Sequence, residues 1–207
     1  MKKPDGRAPS RRVATSAERR VVRVLTEGTV TEQQYLTTIR RAYRHVTISI
    51  DRESAGAVPG TLVREAKQQL AAARRSRGGE RKFDEIWCVF DTDEHPGLPA
   101  ALAEARAAGV GVAMSNPCFE LWLILHAEDQ AAWIHRDDAQ RRSADLGLTT
   151  GKSICSPTTL VGSVTEAIRR ARLLDERHEG NGSPAGDNPS SGMWRLLESI
   201  RPQQGTT

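Results

Sequence analysis

The residues of this sequence best placed to do chemistry are carboxylates that close apolar runs. Glu27 follows Val21-Val22-Arg23-Val24-Leu25-Thr26, and Asp91 and Asp93 follow Ile86-Trp87-Cys88-Val89-Phe90. Glu120 stands inside Pro117-Cys118-Phe119-Glu120-Leu121-Trp122-Leu123-Ile124-Leu125. If the runs are neighbouring parallel strands, their carboxyl ends share one edge, where ligands of such sheets bind, and residues far apart in sequence converge there. Converging carboxylates repel and need a cation or a shared proton. Mg²⁺, or Mn²⁺ in its place, prefers hard oxygen donors and usually takes one or two carboxylates with waters and phosphate oxygens, so this set has the right chemistry for it.

Each candidate also has a plainer reading. Asp91 and Asp93 sit at alternate positions, so their side chains can point the same way. A polar turn in which both accept from nearby backbone amides would use the same residues. Glu120 lies in a segment apolar around nearly its whole circumference, so its carboxylate is at least partly buried and needs a partner. A metal, an arginine or the positive end of the helix would each serve. His95 follows the aspartates closely and either touches substrate or lies on the surface beside Pro96. Gly28 resembles the start of a phosphate-binding turn, but neither GxGxxG nor GxxxxGK[ST] follows. Gly151-Lys152-Ser153 imitates the end of a P-loop without the upstream glycine or a preceding strand, which excludes a Walker nucleotide-hydrolysis fold. Lys152 is retained as a catalytic candidate, a point charge that reaches a phosphate, and Gly28, His95 and Asn116 as substrate-binding candidates.

The elements that must position these residues are legible as alternating strands and helices. Residues 21–26 read as a buried strand stopped by Gly28, with Thr29 and Glu32 spaced as a capping box for a helix over 31–44. Val46, Ile48 and Ile50 alternate as a half-exposed strand, and residues 60–77 return to helical period before Gly78-Gly79. The continuous apolar run at 86–90 reads as a central strand covered on both faces. An alanine-rich helix over 98–108, a strand through Val110, Val112 and Met114, and an apolar helix from Asn116-Pro117 to His126 complete the pattern. Strands alternating with helices imply βαβ crossovers and a mostly parallel, four-stranded sheet flanked by helices. Beyond residue 130 the pattern is helical, with 157–177 the clearest element and Asn188-Pro189-Ser190 placed to cap a last amphipathic helix. The expected organisation is a basic disordered tail (1–20), an α/β domain (21–130) and a helical extension packed on it (131–207).

Composition excludes whole classes. The chain has 207 residues, of which 38% are hydrophobic and 4% aromatic, with a formal charge of +4. These values fit a soluble domain and exclude collagen, coiled coil and disulfide scaffold. No segment is apolar enough to span a bilayer and no signal peptide is apparent, so a cytoplasmic protein without membrane contact is expected. Cys88, Cys118 and Cys155 form no CxxC pair, which argues against structural zinc. His45, His126, His135 and His178 read as structural, Trp87 and Trp122 as core, and Trp133 and Trp194 as seals for the extension. The basic surplus lies in residues 1–20, which carry +5 and leave −1 for the rest. Such a tail is either simply solvated or an electrostatic arm for nucleic acid. Arginine clusters at 40–44, 74–77, 141–142 and 169–172 are solvated helix faces, or, beside an acidic metal centre, holders of a polyanionic backbone.

Three blocks together resemble the RloB family. They are Val24-Leu25-Thr26-Glu27-Gly28-Thr29 with Thr31-Glu32, Trp87-Cys88-Val89-Phe90-Asp91 with Asp93-Glu94-His95, and Ser115-Asn116-Pro117-Cys118-Phe119-Glu120-Leu121-Trp122, followed by Asn188-Pro189-Ser190. That family is similar to the Toprim superfamily of topoisomerases, primases and related nucleases, so the resemblance implies a Toprim-like α/β fold. It implies that Glu27 is the general acid/base or a shared metal ligand, that Asp91 and Asp93 are Mg²⁺ ligands, and that Glu120 joins them. It also implies a metal-dependent endonuclease cutting RNA such as tRNA, or DNA, as a toxic effector in phage defence beside an ABC-type or AAA ATPase; a homo-oligomer is compatible with it. The competing expectation is a non-catalytic adaptor that keeps the fold to bind nucleic acid or the ATPase.

Overall fold

A computed structural model describes residues 19–75, 83–92, 97–184 and 186–201. Most of the expected tail, the Gly78-Gly79 stop, Asp93 and His95 lie outside them. In chain order the elements are β1 (Val21–Thr26), α1 (Thr31–Ala42), β2 (Thr47–Asp51), α2 (Pro59–Arg75), β3 (Glu85–Asp91), α3 (Leu98–Ala108), β4 (Gly111–Asn116) and α4 (Phe119–Ala127). Then come α5 (Arg136–Asp145), the two-residue strands β5 (Thr149–Thr150) and β6 (Ser153–Ile154), α6 (Pro157–Gly180), β7 (Ser190–Ser191) and α7 (Met193–Ile200).

The sheet has the order β2-β1-β3-β4-β7, and its first four strands are parallel. The period-two alternation of β3 sorts its side chains onto two cores. Ile86, Cys88 and Phe90 face Leu62, Val63, Ala66 and Leu70 of α2 and Ala101 and Ala105 of α3. Trp87 and Val89 face the larger layer built from α1, α4, α6 and α7. Because both faces are covered, the strand is apolar without interruption. This is the α/β architecture with a mostly parallel sheet expected from the sequence, consistent with a Toprim-like fold.

Several local expectations need correction. The sheet has five strands, because β7 pairs antiparallel with β4 through Ser115–Ser191 and Asn116–Ser190. Ser190 therefore belongs to a strand and does not cap the last helix, whose N-cap position is Gly192. Helix α4 begins at Phe119, two residues after a cis Asn116-Pro117 bond. The predicted capping box at α1 does not form: the N-cap position is Val30 and no side chain caps the helix. The segment beyond residue 130 contains a tight hairpin, β5 with β6, turned at Gly151 with φ +58. A two-residue strand is too short to leave an alternating pattern, so none was visible in the sequence. Among the described residues, no helix is long and apolar enough to cross a membrane.

Helix α4 is the buried axis of the larger layer: every residue from Phe119 to His126 is buried. Its His126 is 5% exposed and sits between the Tyr35 hydroxyl (Nε2 at 3.1 Å) and the Ser163 hydroxyl (Nδ1 at 2.9 Å). Ser163 donates onward to the Leu160 carbonyl at 3.3 Å, so it accepts from Nδ1–H and leaves Nε2 to accept from Tyr35. His45 and His178 likewise bind main-chain oxygens, of Ile200 and Pro189. Burial pushes the His126 imidazole down to about 4. The unfolded chain takes up a proton near the ordinary histidine value, and the folded one only near 4, so this site costs stability as pH falls through that window. The destabilisation caused by His126→Gln should therefore shrink between about pH 6.5 and pH 4, by up to about 3 kcal/mol. Urea unfolding at several pH values measures the gap, and a constant gap would contradict the neutral, hydrogen-bonded histidine.

Candidate active site

The site is assembled by strand register. Leu25 pairs with Cys88 and Thr26 with Val89, and the Glu27 amide donates to the Val89 carbonyl at 2.9 Å. Glu27 is thereby carried one step past β1, alongside the end of β3. There the Asp91 amide donates to Glu27 Oε2 at 3.2 Å, which fixes the carboxylate over the strand end. Asp91 pairs with Ser115 of β4, and α4 begins three residues after β4 ends, which brings Glu120 in its first turn to the same edge.

Together these elements line a cleft of about 280 Å³. Its charged walls are Glu27, Glu32, Asp91 and Glu120 on one side of the balance and Arg136 and Lys152 on the other, with Gly28, Thr31, Gly56, Phe119 and Gln140 among the remaining lining residues. Glu32 and Glu120 are nearly buried, at 7% and 8% exposure. Arg136, at the start of α5, donates to Asp91 Oδ2 at 2.9 Å. Lys152 is carried in by the β5–β6 turn, which is tied to α1 because Thr31 Oγ1 donates to the Lys152 carbonyl at 2.7 Å and the Ile154 amide donates to Gln34 Oε1 at 2.8 Å.

Crowding of like charges in a poorly solvated place favours the protonated form. Burial pushes the Glu32 carboxyl up to about 7, with Glu120 and Glu27 adding to the rise and Lys152 opposing it. Asp91 is raised well above the usual carboxylate range by burial and by Glu32, with Arg136 opposing, and Glu120 and Glu27 raise it further. Burial and the Glu120 charge likewise push up the Cys118 thiol at the mouth of α4.

Of the residues singled out in the sequence, Glu27, Gly28, Asp91, Glu120 and Lys152 line this one cleft. Asn116 is not among its lining residues; its amide donates to the Gly186 carbonyl at 2.9 Å, on the side of β4 that meets β7. Glu32 and Arg136 were missed as site residues. Glu32 had been read as a cap, yet it turns from the second position of α1 into the cleft, so close to Gly28 that a Cβ there would lie 1.8 Å from Glu32 Oε2. The available signal was an acid in the first turn of the helix that directly follows a strand ending in Glu-Gly.

Among the described lining residues the potential ligands are carboxylate oxygens, with no thiolate or imidazole, a donor set that suits a hard divalent ion. Among the described residues, no three His, Cys, Asp or Glu side chains form a ready-made metal-holding group. Mg²⁺ requires fewer, since it commonly keeps several waters and takes one or two carboxylates.

A mostly parallel sheet whose strand ends gather these carboxylates in one basic-flanked cleft is an α/β architecture consistent with a Toprim-like fold. Residues 22–200 match the family model described as RloB-like protein, and the chain belongs to that family. No curated protein and no solved structure matches it.

The raised Glu32 proton affinity has a measurable consequence. Between the ordinary glutamate value and about pH 7 the folded state holds a proton that the unfolded chain has released, so stability attributable to this group falls as pH rises through that interval. Glu32→Gln should therefore be more stable than wild type at pH 8, by about 1–3 kcal/mol, with the difference gone below about pH 4.5. Thermal or urea unfolding across this range checks it; a variant equal to or weaker than wild type at pH 8 would contradict the crowded-carboxylate description.

Proposed function

We propose that the chain is a Mg²⁺- or Mn²⁺-dependent endonuclease that hydrolyses phosphodiester bonds in nucleic acid. The observation that carries this reading is the convergence of Glu27, Asp91, Glu32 and Glu120 on one strand-end cleft beside Arg136 and Lys152. The ion's one or two carboxylate ligands would be drawn from Glu27, Asp91 and Glu120, with Asp93, which lies outside the described residues, as a further candidate. A bound divalent ion supplies charge neutralisation on the nonbridging oxygens and acidifies a coordinated water. The chain's own residues account for the rest. Arg136 and Lys152 offer a planar fork and a point charge for phosphate oxygens. Glu32, titrating near neutral pH, can hold or release the proton that a hydrolytic step must move. Gly28 leaves room for that carboxylate. As a member of the RloB-like family, the chain is further proposed to act in the cytoplasm as an effector in phage defence, partnered by an ABC-type or AAA ATPase.

The test is cleavage of labelled tRNA, single-stranded DNA and duplex DNA in Mg²⁺ or Mn²⁺, with and without any ABC-type or AAA ATPase found encoded beside the gene. Glu27→Gln and Asp91→Asn should each lower the cleavage rate at least 100-fold, on the order expected for a lost ligand or acid/base group. Lys152→Ala should lower it about 10-fold, as for one phosphate contact. Cleavage that persists in both carboxylate variants would overturn the site, and binding without cleavage under every condition would favour the adaptor.

A further inference from the structure

Three exposed large apolar side chains stand out among the described residues: Val58, Leu173 and Trp133, the last 68% exposed. Trp133 had been expected to seal the helical segment, and it does not. Trp194 comes closer, since it is half-buried, lies between the Arg172 and Arg195 guanidinium groups and donates to Asp175 at 2.9 Å. An indole offers one of the largest apolar surfaces of any side chain, so leaving it in water forgoes stabilisation that a loop free to fold inward would recover.

The loop that carries it has no such freedom. The Ile134 amide donates to Asn188 Oδ1 at 3.1 Å, and Asn188 Nδ2 donates to the Ile134 carbonyl at 2.9 Å, so one side chain clamps both main-chain groups next to Trp133. Arg177 donates to the Ala131 carbonyl at 3.0 Å on the other side. Ile134 is itself buried with Cys118, Ile124 and Ala139. Immediately beyond, His135 caps α5 by accepting from the Asp137 amide at 3.3 Å. The ring of His135 lies tilted 6.3 Å from that of Trp133. Main-chain tethers thus run along both flanks of the exposed indole, so a partner that meets the ring has little backbone left to order on binding.

Its position names the partner. Trp133 is three residues from Arg136, which pairs with Asp91 in the cleft, so their Cα atoms are separated by no more than about 11 Å. We propose that Trp133 is a stacking platform for an unpaired base of the strand whose phosphate enters the cleft, an inference that rests on the nucleic-acid reading above and narrows its substrate class to single-stranded or looped segments. Every base has a π-face, and only a base outside a duplex can offer it to a flat ring on the protein surface. Asn188, from the late Asn188-Pro189-Ser190 block, thereby acquires a role as the clamp that fixes the platform.

The full chain is titrated against short fluorescein-labelled single strands of RNA and DNA and against their blunt duplexes, with Ca²⁺ replacing Mg²⁺ and strand integrity checked on gels. Trp133→Ala should weaken single-strand binding roughly 5- to 100-fold, Trp133→Phe should retain most of it, and duplex binding should change little. Leu173→Ala, an exposed apolar change on α6, should leave both unchanged. Because Trp133 is exposed, the variants should fold, which circular dichroism verifies. Wild-type affinity in Trp133→Ala overturns the platform and leaves the nuclease reading standing, whereas a wild-type protein that binds no nucleic acid overturns both. A lower oligomeric mass in Trp133→Ala by light scattering, with oligonucleotide affinity unchanged, would assign the ring to self-association and overturn the proposal.

Discussion

Four carboxylates forced into one cleft are the constraint around which the rest of this molecule is arranged. Glu27, Glu32, Asp91 and Glu120 come from three different strand–helix junctions, and the parallel sheet gives them no option but to meet at its carboxyl edge. Fully ionised they exceed the two lining cations by two charges, the charge of one divalent ion. Burial in the cleft, with the neighbouring carboxylates adding to it, shifts both Glu32 and Asp91 upward. A fold optimised for stability alone would not bury an unneutralised acid on an otherwise apolar helix; burial of this kind is tolerated where charge is needed for function.

The surrounding structure makes that concentration of charge sustainable. Helix α4 is buried from Phe119 to His126, which anchors its first turn and holds Glu120 at the cleft. Strand β3 is clamped on both faces, so the Asp91 main chain cannot retreat from Glu27. The hairpin and α5 then bring Lys152 and Arg136 from the C-terminal half of the chain. The segment beyond residue 130 is therefore part of the cleft and of the sheet, through β7, as well as a packing layer behind α1 and α4.

How much of this could be read from the sequence depended on the length scale of each signal. The apolar runs of β1 and β3 and the continuous apolar face of α4 are long enough to identify their elements, and the carboxylates at their ends followed directly. Glu32 was legible as a residue but assigned to the wrong task, because a Thr-x-x-Glu spacing fits a capping box and fits equally an acid turned toward a strand end. Arg136 stands in a segment whose strongly polar composition reads as surface helix, and nothing local marks one arginine of several as the one facing Asp91. The hairpin behind Lys152 and the strand β7 are two residues per strand, below any periodicity. Trp133 was assigned to packing because tryptophans usually pack; only the tethers on either side of it explain why this one stays in water.

The central claim is that this carboxylate cleft binds a divalent cation, and the most direct measurement is Mn²⁺ binding followed by electron paramagnetic resonance at pH 8 in the purified full chain. The account predicts saturable binding that Mg²⁺ competes away, weakened at least tenfold in both Glu27→Gln and Asp91→Asn, and weaker at pH 6, where Glu32 takes up a proton. Absence of binding, or binding that both substitutions leave intact, would contradict it.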